Sequence, residues 1–516
     1  KDKGRKRKSK RFSSYASLYF VYFLNNDIFE NTTFIYLLLF GSIVSTLKNY
    51  PLIQNLTVKL SALILFFCTY LIINDNVFLS ESNTVFTDTF ISDYLSFSSK
   101  TLIASFSLIC ILMIQYYLKD QKINQFEYLV IILIAVLGFF LLCSANDFVT
   151  AYLAIELQSL AFYVMAAFKK NSSFSVEAGL KYFVLGSFSS AILLFGTSIV
   201  YGLLGSLNFE DFKLLFSMLT PGQNYGINTE FDSNLLQSAL VLIIISLFFK
   251  LAVAPLHVWS PDVYENSPTS STIFFAVVSK LSILVLLIRI FQYSFHGFIY
   301  TWRYYIVGLA VLSVIIGSFT ALEQRKLKSL LAYSSVSHIG YILIAFSAGT
   351  FEGVQNLYAY IMIYMLAGLC IWSIFLLLRM KTFYLKKQNK DLTDLTLLVK
   401  SNNIIAICFS IVLLSIAGFP PLIGFFTKMG IFLTAIESSM YFVAIVSVLT
   451  SVVSTFYYIR IIKIIYFEKV VAGNLFFPFN YTQTFVVISS FFLFIFLFIN
   501  PTLLYLISYK VALLGF

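Results

Sequence analysis

Five ionisable side chains lie inside long apolar stretches of this 516-residue chain. A charged side chain at membrane depth costs roughly 2.5–3.5 kcal/mol on insertion scales, so each one needs a function or a partner. Carboxylates, lysines and histidines that persist there mark ion pathways and proton relays in pumps and transporters. The candidates are Glu156, Lys250, Lys280, His338 and Lys428. Their residue types and positions predict an ion-handling protein.

Two of these lysines are close to prolines that interrupt a helix. Pro255 follows Lys250, and Pro420 precedes Lys428. Proline removes a backbone hydrogen bond from a helix. In a membrane, such irregular backbone survives only inside protein or beside a water-filled cavity. We therefore predict two broken helices, each with a lysine near the break.

The composition is that of a membrane protein. Hydrophobic residues make up 59% of the chain and charged residues 11%, and the mean hydropathy is +0.87. Soluble proteins average about a quarter charged residues. Apolar stretches long enough to span a bilayer recur from residue 31 to residue 508. We therefore predict an all-α polytopic membrane protein with about fourteen transmembrane helices.

The order of the buried groups indicates two related halves. Glu156 precedes the break near Lys250 by about the interval that separates His338 from the break near Lys428. Matching interrupted helices are typical of transporters built from inverted repeats. The predicted order is a basic tail (1–30), three transmembrane helices (31–124), two inverted five-helix repeats (125–295 and 296–470), and a C-terminal helix (471–516).

The sequence lacks the usual motifs for disulfides, metals and nucleotide cofactors. The five cysteines contain no CxxC pair, and the sequence has no Walker-type or Rossmann-type phosphate loop. We therefore expect no disulfide framework, no metal site and no bound cofactor in this chain.

Basic residues crowd the first eleven positions. Without a folded soluble domain beside it, this tail predicts contact with solvent or phospholipids and not with nucleic acid.

Individual groups allow alternative interpretations. Lys250 and Glu156 form either a proton-releasing switch or a static buried ion pair. His338 is either a proton relay or a histidine that is hydrogen-bonded within a helix bundle. Lys181 either modulates Glu156 or extends to the membrane interface, and Arg289, near a helix end, is expected to extend to the interface.

Long blocks of residues around the ionisable groups resemble one known family. The blocks are Glu156–Phe168, Glu177–Ser190, Phe249–Glu265, Leu330–Tyr341 and Ala417–Lys428. Together they closely resemble the subunit-2 family of NADH dehydrogenase, which are antiporter-like membrane subunits of respiratory complex I. The resemblance runs from about residue 125 to residue 466, in the order of a full-length member.

The resemblance implies a core subunit of H⁺-translocating NADH:ubiquinone reductase that moves protons while other subunits perform the redox chemistry. It maps four proton-transferring groups onto Glu156, Lys250, Lys280 and Lys428, to which our reading of the sequence adds His338. Candidate modulators are Lys181, Pro255 and Pro420. NADH, FMN, iron–sulfur clusters and quinone are expected in partner subunits. The expected neighbours are other antiporter-like subunits and phospholipids, in the mitochondrial inner membrane.

Two departures from the family concern the helix that carries Lys280. The sequence 267–271 has one proline where the family often has Pro-Thr-Pro, and Ser279 replaces a frequent proline.

Two other functions are also considered. One is a subunit of a multisubunit cation/proton antiporter, which shares this ancestry. The other is a structural membrane spacer with vestigial charges.

Overall fold

The computed structural model describes residues 52–75, 83–121, 123, 126–218, 233–381, 386–388, 391–468 and 481–515. The predicted basic tail (1–30) and the first predicted span, at 31–47, lie outside these residues.

Helices account for nearly all of the regular structure because a backbone in lipid must satisfy its hydrogen bonds internally. The N-terminal part contains α1 (Leu52–Asp75), β1 (Asn83–Val85), β2 (Phe90–Ser92), α2 (Tyr94–Asp120), α3 (Phe126–Ser144), α4 (Phe148–Ala167), α5 (Ser173–Leu204), α6 (Phe209–Met218), α7 (Ser233–Leu251), α8 (Trp259–Asn266), α9 (Thr269–Val277), α10 (Ser279–Leu287), a π-helix (Ile288–Ser294) and a 3-10 turn (His296–Phe298).

The C-terminal part continues with α11 (Ile299–Glu323), α12 (Leu327–Ser347), α13 (Phe351–Leu377), β3 (Arg379–Lys381), β4 (Lys386–Gln388), a 3-10 helix (Leu392–Leu397), α14 (Leu398–Ser401), α15 (Asn403–Ala417), α16 (Ile423–Glu437), α17 (Tyr441–Phe467), α18 (Tyr481–Ile499) and α19 (Thr502–Gly515). The strands form two small antiparallel hairpins, β1–β2 and β3–β4.

The prediction of a polytopic helical membrane protein is confirmed. Within the described residues, eleven helices are long and apolar enough to cross a membrane, or twelve if the pair α18–α19, bent by 82°, is one span. The predicted span at 403–434 is divided between the short helices α15 and α16. The total of about fourteen remains a prediction.

Both predicted breaks are present, and the helices before them end in the same way. After α7, the amides of Ala252 and Val253 donate to the carbonyls of Phe249 and Phe248. After α15, the amides of Gly418 and Phe419 donate to Ser415 and Leu414 in the same pattern. This paired arrangement is the Schellman motif, which needs a left-handed residue. Ala252 (φ 61°) and Gly418 (φ 92°) supply it.

The most deeply buried helices are those that carry the central ionisable groups. The span Thr269–Ser294, which contains α9, α10 and the π-helix, is almost completely covered by other helices. The same is true of α12 and α13. The departures from the family at 267–271 and Ser279 do not interrupt this burial, since α9 and α10 remain helical. Lys280 and His338 are thus in the interior of the bundle.

Arg289 does not extend to the interface, so that prediction was wrong. Its Nη2 donates to Asp93 Oδ1 (2.8 Å) and to the Cys143 carbonyl (3.1 Å), and both charged side chains are buried. Asp93 also caps α2 through a reciprocal pair of hydrogen bonds with Ser96. The local π-helical winding includes a bond from the Phe295 amide to the Ile290 carbonyl. This ion pair connects α2, α3 and the π-helix.

We expect Arg289→Met to destabilise the protein strongly because it leaves the Asp93 carboxylate buried without its partner. Breaking a buried pair in this way typically costs about 3–5 kcal/mol. The matched control is Lys326→Met, which breaks the largely exposed Lys326–Glu265 pair and is expected to cost about 0–1 kcal/mol. Thermal denaturation of the purified protein in detergent measures both. Equal losses in the two variants would contradict a structural role for the buried pair.

A row of buried lysines, tyrosines and histidine

Lys250 lies in the last turn of α7 and points toward α4. Its Nζ donates to the Tyr163 hydroxyl (3.3 Å) and lies 5.7 Å from the centre of that ring. The lysine is half-buried. Among the described residues it has no carboxylate within ion-pair distance. The direct partner of the ammonium group is therefore a phenol.

Glu156 lies on α4 two turns before Tyr163, on the same side of the helix. Its carboxylate interacts electrostatically with Lys250 but is not in direct contact with it. Ser159 Oγ lies 3.5 Å from Oε2, and Oε1 has no hydrogen-bond partner in the described part of the chain. The static ion pair considered from the sequence is therefore not formed. Glu156 therefore acts on Lys250 through space, while Tyr163 is the direct partner of the lysine.

The position of Tyr163 depends on a close approach between α4 and α5. A Cβ atom at Gly186 would lie 2.0 Å from the Tyr163 hydroxyl oxygen, so only glycine leaves room for the phenol. The ring packs edge-on against Tyr182 (4.8 Å between centroids), and Tyr182 stacks on Trp259 (4.6 Å). The Trp259 indole donates to the Phe249 carbonyl (2.9 Å) at the end of α7. The break, the tryptophan and the phenol thus form one packed unit.

Lys250 and Lys280 line one cavity of about 20 Å³. A water molecule requires roughly 10–15 Å³ of such volume and two to four polar partners. The two lysines, Gln158, Ser159 and Ser279 supply polar atoms in the wall. The cavity is therefore large enough and polar enough for one water between the two lysines, which lie on different helices.

Lys280 is buried, with 3% of its surface exposed, and has no carboxylate within ion-pair distance among the described residues. Its Nζ donates to the Tyr364 hydroxyl (3.1 Å) and lies 4.9 Å from the centre of that ring. A cation is stabilised both by a hydroxyl acceptor and by the face of an aromatic ring. Lys280 therefore faces the cavity on one side and α13 on the other.

His338 lies on α12 between two phenols. Its Nδ1 is 2.7 Å from the Tyr360 hydroxyl, and its Nε2 is 3.0 Å from the Tyr458 hydroxyl. The ring is also 5.5 Å from that of Tyr364, the partner of Lys280. Only 3% of the histidine is exposed. It interacts electrostatically with both Lys280 and Lys428.

Lys428 lies on α16, just after the second break, and reaches back across it. Its Nζ donates to the Ala417 carbonyl (2.8 Å) and lies 5.5 Å from the centre of the Tyr341 ring. A Cβ atom at Gly418 would lie 2.9 Å from Lys428 Cδ, so this left-handed glycine also makes room for the lysine. The lysine is 4% exposed. It thus occupies a carbonyl that the broken helix leaves without an intrahelical partner.

The three candidate modulators lie outside this row. Lys181 is exposed and pairs with Glu177 (2.9 Å) and Asp262 (3.1 Å), so it holds α5 against α8 and does not contact Glu156. Pro255 and Pro420 lie in the two breaks and are exposed. Their placement is that of residues that shape the breaks.

The tyrosines of the row were not predicted from the sequence. Tyr163, Tyr360, Tyr364 and Tyr458 all hydrogen-bond to ionisable candidates. The chain has 33 tyrosines, and in an apolar helix a tyrosine has no distinguishing sequence signal. The spacing of Tyr360 and Tyr364, one helical turn apart within a buried helix, is the only pattern that could have indicated them.

Comparisons with known proteins show which family the chain belongs to. A family model described as "NADH:quinone oxidoreductase/Mrp antiporter, TM" matches residues 145–454. NADH-ubiquinone oxidoreductase chain 2 of Marchantia polymorpha is 39% identical over 494 residues, which cover 94% of this chain and 97% of the relative. NADH-quinone oxidoreductase subunit N of Paramagnetospirillum magneticum is 37% identical over 391 residues, covering 76% and 78% of the two chains.

A solved structure has the same fold. A chain in the structure of respiratory complex I from Thermus thermophilus superposes with a TM-score of 0.75 at 25% identity, covering 93% of this chain and 98% of that one. The family match spans more than half of this chain, and two relatives exceed 35% identity over most of their length. The chain therefore belongs to the NADH:quinone oxidoreductase/Mrp antiporter family, among the chain 2 and subunit N proteins.

Proposed function

We propose that this chain is a proton-translocating membrane-arm subunit of respiratory complex I and that it moves protons along the row from Glu156 to Lys428. The observation that carries the proposal is the continuity at Lys280. This lysine shares a cavity with Lys250 and hydrogen-bonds to Tyr364, which packs beside His338. Charges that served only as local salt bridges would not need such a connection.

The first half of the row has the parts of a charge-controlled switch. The proton affinity of a buried lysine depends strongly on the charges around it. Glu156 acts on Lys250 without occupying its hydrogen-bond site, since Tyr163 is the direct partner. Movement or neutralisation of the carboxylate would therefore change the proton affinity of Lys250 and leave its geometry intact. A proton released from Lys250 would reach Lys280 through the shared cavity.

The second half extends from Lys280 past His338 to Lys428. Lys428 is held at the second break by the Ala417 carbonyl, so we assign it the role of terminal group in this subunit. We expect protons to pass between the half-rows at Lys280, the lysine that contacts both.

The driving reaction would take place elsewhere in the complex. We place NADH, FMN, the iron–sulfur clusters and quinone in partner subunits. The membrane neighbours would be other antiporter-like subunits, with phospholipids on the remaining apolar surface. Similarity to the Marchantia chain 2 supports a location in the mitochondrial inner membrane.

We also propose the complete architecture expected from the sequence, with fourteen spans and two inverted repeats (125–295 and 296–470). The broken helix α15–α16 would be one span, and residues 31–47 would supply another. The matching Schellman ends of α7 and α15 support the repeats, because equivalent helices of a repeat are expected to break in equivalent ways. Three helices (31–124) would precede the repeats, and the C-terminal segment (471–516) would follow them.

A cation/proton antiporter subunit is the second candidate, because the matching family model includes Mrp antiporters. The identity to oxidoreductase subunits favours complex I. Purification of the chain from its native membrane separates the two. Iron–sulfur subunits and NADH oxidation in the same particle support our proposal, whereas a particle with only antiporter subunits would contradict it.

We expect Lys250→Met to leave the complex assembled and able to oxidise NADH but to lower the number of protons moved per NADH. Loss of a proton-transferring group typically slows transfer by about 10²–10⁴-fold, so the row would no longer keep pace with turnover. Glu156→Gln should have a similar effect because it removes the controlling charge. Proton uptake by sealed vesicles, measured against NADH oxidation, tests both. A normal ratio in an assembled Lys250→Met complex would disprove the assignment.

The geometry at Tyr163 gives a second test that alters no ionisable group. Gly186→Ala places a methyl carbon 2.0 Å from the Tyr163 hydroxyl oxygen, so we expect the phenol to move away from Lys250 and the number of protons moved per NADH to fall. The control is Gly202→Ala on the same helix, where a Cβ atom meets nothing within 4 Å. If the two variants move the same number of protons per NADH, the Tyr163–Lys250 contact is dispensable.

A further inference from the structure

We propose that tyrosine hydroxyls carry protons in the second half of the row: Tyr364 takes the proton from Lys280, and Tyr360 and Tyr458 exchange protons with His338. This inference rests on the proposed proton-translocating function and assigns groups within the same row. It concerns three phenols on two helices, α13 and α17, that contact the ionisable groups directly.

His338 is hydrogen-bonded on both sides of its ring. Both of its ring nitrogens are within hydrogen-bond distance of a tyrosine hydroxyl, at 2.7 and 3.0 Å. A neutral imidazole has one N–H donor and one bare nitrogen acceptor. One tyrosine must therefore accept from the ring while the other donates to it. The two hydrogen bonds along Tyr360–His338–Tyr458 therefore run in the same donor-to-acceptor direction. This direction can be from Tyr360 to Tyr458 or the reverse.

Changing between these orientations moves one proton. A proton arriving at Tyr360 forms an O–H bond there, while the original hydroxyl proton passes to His338 Nδ1. The Nε2–H bond then breaks, and its proton passes to Tyr458, which releases its own proton onward. Each phenol gains one proton and loses one, so both end neutral. The imidazole ends in the other tautomer. The next proton can follow the same route once the ring proton has been exchanged from Nδ1 back to Nε2 and both hydroxyls have rotated.

Tyr364 connects this series to Lys280. Its hydroxyl accepts from the lysine at 3.1 Å, and Tyr360 and Tyr364 are one turn apart on α13, on the same face. The Tyr364 ring is 5.5 Å from that of His338, and the Tyr360 ring is 6.1 Å from it. The Lys280 N–H bond breaks as an O–H bond forms at Tyr364, whose own proton then leaves toward Tyr360. Lys280, His338, Tyr360 and Tyr458 are buried and Tyr364 is partly buried, which limits exchange with bulk solvent.

Helix α13 also carries a tyrosine, Tyr358, whose hydrogen bond is to a group outside the row. Tyr358 is fully buried, and its hydroxyl donates to Ser98 Oγ at 2.9 Å. Within the described part of the chain, this hydroxyl is hydrogen-bonded to a serine and not to an ionisable group of the row. Tyr358 and Tyr360 therefore share a helix, burial and a side-chain hydrogen bond, and differ in whether the partner is an ionisable group: serine for Tyr358 and histidine for Tyr360. Tyr358 is thus a matched control.

The experiment compares Tyr360→Phe, Tyr364→Phe and Tyr458→Phe with Tyr358→Phe in the assembled complex, in sealed vesicles. Protons moved per NADH and uncoupled NADH oxidation are both measured. We expect the three row variants to slow proton transfer by at least about 100-fold, which appears as loss of this subunit's share of the protons per NADH. Tyr358→Phe should keep the normal ratio. Normal ratios in all three row variants, or an equal loss in Tyr358→Phe, would overturn the inference.

A second measurement applies where a phenylalanine variant does not assemble. Difluorotyrosine at position 360 or 458 keeps the ring and the hydroxyl but makes the phenol more acidic. If the phenol carries protons, the substitution shifts the pH profile of proton translocation. An unchanged pH profile would indicate a structural phenol and would overturn the inference.

Lys250→Met separates the two proposals. If it lowers the ratio while the tyrosine variants do not, only the present inference fails; if it too leaves the ratio normal, the proposed function fails.

Discussion

The structure depends on keeping a lysine, Lys280, in the middle of a dry helix bundle. An isolated ammonium group in such surroundings is strongly disfavoured, so it must have polar partners on every open side. Lys280 has the polar cavity shared with Lys250 on one side and the Tyr364 hydroxyl with its ring on the other. Neither partner is a carboxylate. A carboxylate would hold the proton in place, whereas a phenol, and a water molecule in the cavity, would stabilise the lysine and could still pass its proton on.

The two broken helices solve a similar problem in different ways. At the first break the lysine precedes the interruption, and an indole, Trp259, binds the freed Phe249 carbonyl. Lys250 thereby remains available to Tyr163 and the cavity. At the second break the lysine follows the interruption and itself binds the freed Ala417 carbonyl. In the row that we propose, the first lysine would exchange protons with its neighbours, and the second, which is anchored to backbone, would be the terminal group.

The ionisable groups and both breaks could be predicted from the sequence because the energetic cost of charge and proline in lipid makes them conspicuous. Their partners could not, since helices that are apolar on all sides give no indication of which face points inward. Tyr364 is 84 residues from Lys280 in the chain, and Tyr458 is 120 residues from His338. Only the packing of α10, α12, α13 and α17 brings these groups together.

One further difference has the same cause. Arg289 looked like an interfacial residue because it is near a helix end, but it is buried against Asp93. The oppositely charged partner lies at the start of another helix, and no local sequence pattern contains it. Lys181, in contrast, is exposed and pairs with Glu177 one turn earlier on its own helix as well as with Asp262.

The most direct test of the account is the number of protons moved per NADH oxidised by a complex that contains Lys280→Met, measured in sealed vesicles with assembly and uncoupled NADH oxidation as controls. Lys280 is the one group that contacts both half-rows in the described structure. The account predicts an assembled complex with normal NADH oxidation and a clearly lowered ratio, because proton transfer between the halves is interrupted. An assembled complex with an unchanged ratio would contradict it.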